Sequence, residues 1–86
     1  MNVCFHPKAW QQYVEWQVYD KQVLKKINHL LKDIQRSPFE GIGKPEPLAY
    51  EFSGFWSRRI TDEHRLVYTI DDGNIIIVQC RYHYDG

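Results

Sequence analysis

The strongest patterning of apolar and polar positions lies between residues 20 and 36. Val23, Leu24, Ile27, Leu30, Leu31 and Ile34 recur at steps of three and four, which predicts a helix with one apolar stripe. Its other face carries Lys21, Lys25, Lys32 and Asp33. Asp20 is placed to cap the first turn, and Ser37-Pro38 ends the helix, because the residue before a proline avoids helical angles. An earlier helix is expected over about Pro7 to Val18, opened by Pro7 and carrying Trp10, Tyr13, Val14 and Trp16. Residues 3–6 read as a short strand with Val3 and Phe5 on one side.

After the loop 39–47 the period changes from helical to alternating. Leu48 to Phe52, Phe55 to Thr61, Arg65 to Ile70 and Ile75 to Tyr82 are predicted strands. Ser53-Gly54 and Asp62-Glu63 separate the first three, and Asp71-Asp72-Gly73-Asn74 is a strong hairpin signal. The order predicts an α+β fold: a short N-terminal strand, then a two-helix hairpin packed on one face of an antiparallel sheet. The length of 86 residues suits a single domain spanning 1–86.

Composition narrows the classes. Thirteen aromatic side chains, made up of three Trp, six Tyr and four Phe, let a short chain build a core. Basic and acidic residues balance at 11 each, so no bulk charge advertises a nucleic-acid or acidic partner. No apolar run is long enough to span a bilayer, and residues 1–7 lack the features of a signal peptide, so a cytoplasmic location is expected. Cys4 and Cys80 are too few for a disulfide scaffold and read as small buried hydrophobes. Cys80 and His83 have a metal-like spacing but no second ligand pair, so no metal and no cofactor are expected.

Sorting each strand by alternation exposes a hidden patch. Ile76, Val78, Cys80 and Tyr82 form the more apolar set of the last strand and are expected to face the helices. Arg59, Arg65, Arg81 and His83 then converge on the open face with no carboxylate among them. Clustered like charges repel unless an anion sits between them, so the alternation leaves an anion site and a solvated face as the two readings. The Gly41-Ile42-Gly43-Lys44 stretch lacks the phosphate-loop spacing and follows a helix. Its expected role is to turn the chain and present Glu46, which Pro45 and Pro47 stiffen. Glu46 reads either as a general base or as a solvent-exposed loop acid. Tyr82 reads as core, His6 and His29 as surface, and His64 as undecided.

Three blocks then go beyond pattern. They are Phe39-Glu40-Gly41 with Gly43-Lys44-Pro45-Glu46-Pro47-Leu48, Ser53 to Thr61 together with Glu63 to Tyr68, and Cys80-Arg81-Tyr82-His83-Tyr84. With Trp10, Tyr13, Trp16, Asp20 and Lys25 to Asn28 they resemble the YoeB (Txe) toxins of the RelE superfamily, nearly end to end. The resemblance implies a RelE-like fold and a type II toxin–antitoxin toxin that cuts mRNA in the ribosomal A site. It implies Glu46 as general base, Arg65 as the transition-state guanidinium and His83 as general acid, with Tyr84, Arg59 and Arg81 holding substrate. The implied reaction is metal-independent attack by the RNA 2′-hydroxyl. Implied partners are a YefM-like antitoxin, the 70S ribosome with mRNA, operator DNA only together with the antitoxin, and a second copy in a homodimer, but no membrane. The competing functions are a ParE-like toxin without nuclease activity and an RNA- or protein-binding module. Two features depart from the family: Ala49, Tyr50 and Glu51 stand where basic residues are frequent, and Asp85-Gly86 follow the usual terminal tyrosine.

Overall fold

In the computed structural model, which describes residues 1–83, Asp20 caps as expected. Its Oδ1 accepts from the N–H groups of Gln22 (3.0 Å) and Val23 (3.3 Å), a bond set worth about 1 kcal/mol. It thereby joins α1 (Pro7–Tyr19) directly to α2 (Lys21–Arg36). Tyr13 Oη donates to Asn28 Oδ1 at 2.6 Å and ties the two helices side by side. Ala9 and Trp16 from α1, and Val23, Ile27, Leu30 and Ile34 from α2, pack onto the sheet. No helix among the described residues is long and apolar enough to cross a membrane.

The sheet contains β1 (Val3–Phe5), β2 (Glu46–Pro47), β3 (Trp56–Arg59), β4 (Arg65–Asp71) and β5 (Asn74–Gln79), in the spatial order β1-β5-β4-β3-β2. The last four form the expected antiparallel meander. β1 adds in parallel beside β5, Val3 opposite Ile75 and Phe5 opposite Ile77, so the sheet as a whole is mixed. The fold is thus α+β, two helices on one five-stranded sheet.

Four local expectations are corrected. Leu48 to Phe52 is not a strand: pairing occurs at Glu46–Pro47, and Tyr50–Phe52 form a single 3₁₀ turn. Pro47 brings no N–H to a ladder, and Tyr50 turns left-handed at φ 56°, so extension stops there. Next, the inward set of β5 is reversed. Ile75 and Ile77 are buried, while Ile76 and Val78 are only half-buried. Val67 opposes Gln79 but Tyr68 opposes Ile77, so Val78 is an extra residue in a bulge, and the shift of phase turns Cys80 back into the core. Then Cys4 is exposed, although Cys80 is buried as expected. Lastly Tyr82 is exposed, with a left-handed φ of 65°.

Asp33 belongs to the interior despite its place in a polar-looking helix face. It meets Arg58, an inward-facing residue of β3 with no exposed surface. Arg58 Nη1 donates to Asp33 Oδ2 (2.5 Å) and to the Ile42 carbonyl (3.1 Å). Its Nη2 donates to the carbonyls of Ser37 (2.7 Å) and Glu40 (3.0 Å), and its Nε to Tyr68 Oη (3.1 Å). A single guanidinium therefore organises the whole loop after α2, satisfying carbonyls that no ladder serves. Its hydrogen bond first, then the Ile42 N–H, hold the Asp33 carboxyl down at about 2. Gly41 and Gly43 let the loop press this close. A Cβ at Gly41 would fall 2.0 Å from Asp33 Oδ2, and one at Gly43 would fall 2.8 Å from Leu30. The Gly43 carbonyl accepts from the Arg59 N–H at 2.7 Å, which delivers Lys44-Pro45-Glu46 to the sheet edge.

Candidate active site

Antiparallel order decides which residues meet. β2 begins where β3 ends, β4 begins there too, and β5 ends there. Glu46 starts β2, Arg59 ends β3, Arg65 starts β4, and the segment 80–83 follows β5. All lie at one end of the sheet. Register adds the face: Glu46 opposes Ser57, Ser57 opposes Val67, and Val67 opposes Gln79, so these four side chains share one side. Arg59 opposes Arg65 one pleat further on the same side. Two strands sideways and two residues along put the Glu46 and Arg65 Cα atoms about 12 Å apart by standard sheet spacing. Long side chains from both ends can close on a group between them.

The turn before β4 is built to hold Arg65. Thr61 Oγ1 accepts from the N–H groups of Glu63 (3.2 Å) and His64 (3.1 Å). The turn carbonyls of Thr61 (2.7 Å), Asp62 (3.2 Å) and His64 (3.1 Å) all accept from Arg65 Nη1. That edge of the guanidinium is fixed before any ligand arrives. His83 comes to the same turn, its Nε2 3.3 Å from the Asp62 carbonyl. Glu46, Arg59 and His83 are exposed and Arg65 is half-buried.

Gln79, Gln12, His64 and Lys8 were not singled out as functional by the sequence. Gln79 Nε2 donates to the carbonyls of Arg81 (2.7 Å), Tyr82 (3.2 Å) and His83 (2.9 Å), folding the segment back on itself. Gln12 Oε1 accepts from the Cys80 N–H (2.9 Å), and Trp16 Nε1 donates to the Cys80 carbonyl (2.9 Å). A cleft of about 580 Å³ opens beside this segment, lined by Lys8, Phe52, Gln79, Arg81 and His83 among others. A polar side chain at the end of the apolar run Ile75 to Val78 is the one sequence signal Gln79 offers.

Arg81 corrects the expected patch. β5 ends at Gln79, and beyond the strand Arg81 turns toward α1 instead of continuing the alternation. Its guanidinium lies over the rings of Tyr82 (4.9 Å), Trp16 (5.4 Å) and Tyr19 (5.5 Å), with Nη1 3.5 Å from Glu15 Oε1. It borders the cleft but does not join Arg59 and Arg65 on the sheet face. Tyr84 and Asp85-Gly86 lie outside the described residues. His64, undecided from sequence, is largely buried at 13% side-chain exposure. Its ring meets Trp16 edge to face at 4.9 Å, and burial pushes its pKa below the usual imidazole value.

The family described as YoeB-like toxin of bacterial type II toxin-antitoxin system matches residues 5–84. The chain belongs to the YoeB toxin family. A YoeB toxin from Escherichia coli K12 is 56% identical over 84 residues, covering 98% of this chain and 100% of that one. The structure of a YoeB/ParE toxin from Agrobacterium tumefaciens superposes with a TM-score of 0.95 at 43% identity, covering 98% of this chain and 100% of that one. Staphylococcus aureus YoeB, in complex with YefM, superposes with a TM-score of 0.90 at 52% identity and 98% coverage of both chains. A YoeB dimer from Staphylococcus aureus superposes with a TM-score of 0.91 at 53% identity and 98% coverage of both chains.

Proposed function

We propose that this YoeB-family toxin is a ribosome-dependent mRNA endonuclease. The observation that carries the reading is the convergence of a carboxylate, two guanidiniums and an imidazole at one end of the sheet, three of them on one face by register. The Glu46 carboxylate takes the proton of an RNA 2′-hydroxyl. The freed oxygen attacks the adjacent phosphorus, the bond to the 5′-oxygen breaks, and a 2′,3′-cyclic phosphate remains. His83 gives a proton to the departing 5′-oxygen. Arg65, oriented through Nη1, turns its remaining donors to the phosphate oxygens as charge builds on them. Arg59 is a second phosphate contact, Arg81 meets RNA from the cleft, and Tyr84 orients the nucleotide. The nucleophile is internal to the substrate, so alignment on the ribosome supplies a large share of the rate.

The proposed partners are a YefM-like antitoxin and a second copy of the chain, by analogy with the S. aureus structures, and operator DNA bound jointly with the antitoxin. Toeprinting on programmed 70S ribosomes tests the reaction. Wild-type protein is expected to cut in the A site, and Glu46→Gln, Arg65→Ala and His83→Gln to leave the message whole. Full cleavage by His83→Gln removes the acid assignment. Intact messages with gyrase-linked DNA breaks would turn the reading to a ParE-like toxin.

A further inference from the structure

The segment carrying His83 has little regular structure to fix it. β5 ends at Gln79, and Tyr82 sits in the left-handed region, which is strained for a residue with a Cβ. Two consecutive residues of the β4 edge grip Tyr82 from either side. The Tyr82 N–H donates to His64 Nδ1 at 2.8 Å, and the Tyr82 carbonyl accepts from the Arg65 N–H at 3.1 Å. The first bond sets the state of the imidazole. A backbone N–H only donates, so Nδ1 must be bare and the proton of the neutral ring sits on Nε2.

We propose that His64 is a positioning residue for His83, its neutral ring fixing the left-handed turn at Tyr82 that sets His83 beside Arg65. The inference rests on the nuclease reading for its consequence but not for its geometry. The ring is seated by Trp16 of α1 below it and by the Tyr82 ring at 5.7 Å. The charged and titratable groups facing it are Glu63 on its own turn, with Oε2 3.8 Å from Nε2, and Arg81 and His83 on the segment. Glu15 of α1 reaches the site only through Arg81. Burial favours the neutral ring, as do Arg81 and His83, while Glu63 opposes them. A proton arriving at Nδ1 would place two N–H groups head to head. The bond to Tyr82 would break, and the turn would lose one of its two backbone anchors. The site is therefore assembled above the lowered His64 pKa and loosens as pH falls through it.

Two variants separate positioning from packing. His64→Phe keeps a ring against Trp16 and removes the acceptor, whereas His64→Asn places a non-titrating acceptor near the Nδ1 position. In His64→Phe the Tyr82 amide is expected to exchange with solvent about tenfold faster or more, and kcat on programmed ribosomes to fall about tenfold with KM within about twofold. His64→Asn is expected to recover both and to abolish the loss of Tyr82 protection that wild type shows on acidification. Wild-type protection and cleavage in His64→Phe, or an Asn variant that behaves like Phe, would overturn the proposal. Should His64→Phe fail to fold, the wild-type titration decides. A Tyr82 amide that loosens together with His64 protonation supports the proposal, and one indifferent to it overturns the proposal. Protein that leaves ribosome-bound RNA intact would sink the nuclease reading alone, because the amide and ring titrations read the turn without any substrate.

Discussion

Arg58→Met would remove the centre of the loop scaffold while keeping a long apolar stem in the core. Arg58 has no exposed surface, so its charge and donors are fully desolvated. Its loss leaves the carbonyls of Ser37, Glu40 and Ile42 without their guanidinium donor and leaves Asp33 with Arg36 as its remaining cation. A buried acceptor deprived of its donor costs about 1–3 kcal/mol. Water entering from the loop side offsets part of three such losses, and removing one partner of a buried ion pair falls at about 3–5 kcal/mol, which we take as the expected total. For a domain of this size that lowers Tm by roughly 15–30 °C. Urea unfolding and a thermal scan measure it directly. The double variant Arg58→Met with Asp33→Leu sharpens the test. If the ion pair alone mattered, an apolar pair would restore stability. Because the three carbonyls stay orphaned, the double variant is expected to remain well below wild type. A single Arg58→Met variant within about 1 kcal/mol of wild type, or a double variant that recovers fully, would refute the scaffold argument.

Gly41→Ala is expected to destabilise strongly, since the new methyl group meets the clamped Asp33 carboxylate at 2.0 Å and φ is +125°; its unfolding midpoint checks this. Asp33 titrates from 3.8 when unfolded to about 2 when folded, so the unfolded chain binds the extra proton in that window. Its contribution is fully present above pH 4 and is expected to fade as pH drops toward 2, as read by stability against pH in wild type and Asp33→Asn. Cys80 is buried and its thiol pushed up to about 12, whereas Cys4 is exposed. A disulfide reagent should therefore titrate one thiol in native protein and both in denaturant.

Much of this was legible in the residues. The stripe on α2, the Asp20 cap and the hairpin at Asp71 to Asn74 each rest on local chemistry, and each stands where it was expected. Alternation and the proline-stiffened loop offered Glu46, Arg65 and His83 as candidates, the resemblance gave them roles, and strand order brings them to one end of the sheet. What alternation missed is instructive. A single extra residue at Val78 exchanges the faces of β5, and the strand ends at Gln79, so Arg81 leaves the sheet and turns to the helix side. Bulges have no reliable local signature, so a period of two holds only until the first one. Arg58 was hidden for a different reason. Its partner Asp33 is 25 residues away, and its carbonyl acceptors come from a loop whose path depends on that same guanidinium.

The outer strands of the sheet are unequal, and that inequality bears on how the protein stays in solution. One border is β2, only two residues long and ending in a proline, a poor template for another chain. The other border is the three-residue β1, and behind it lies Ile75-Ile76-Ile77-Val78, an uncharged β-branched run. Peeling β1 away would uncover that run as a free edge ready to recruit identical neighbours. Val3-Cys4-Phe5 thus acts as a guard strip against self-templated β-aggregation, and weakening it should be felt as lost soluble yield before it is felt as lost activity.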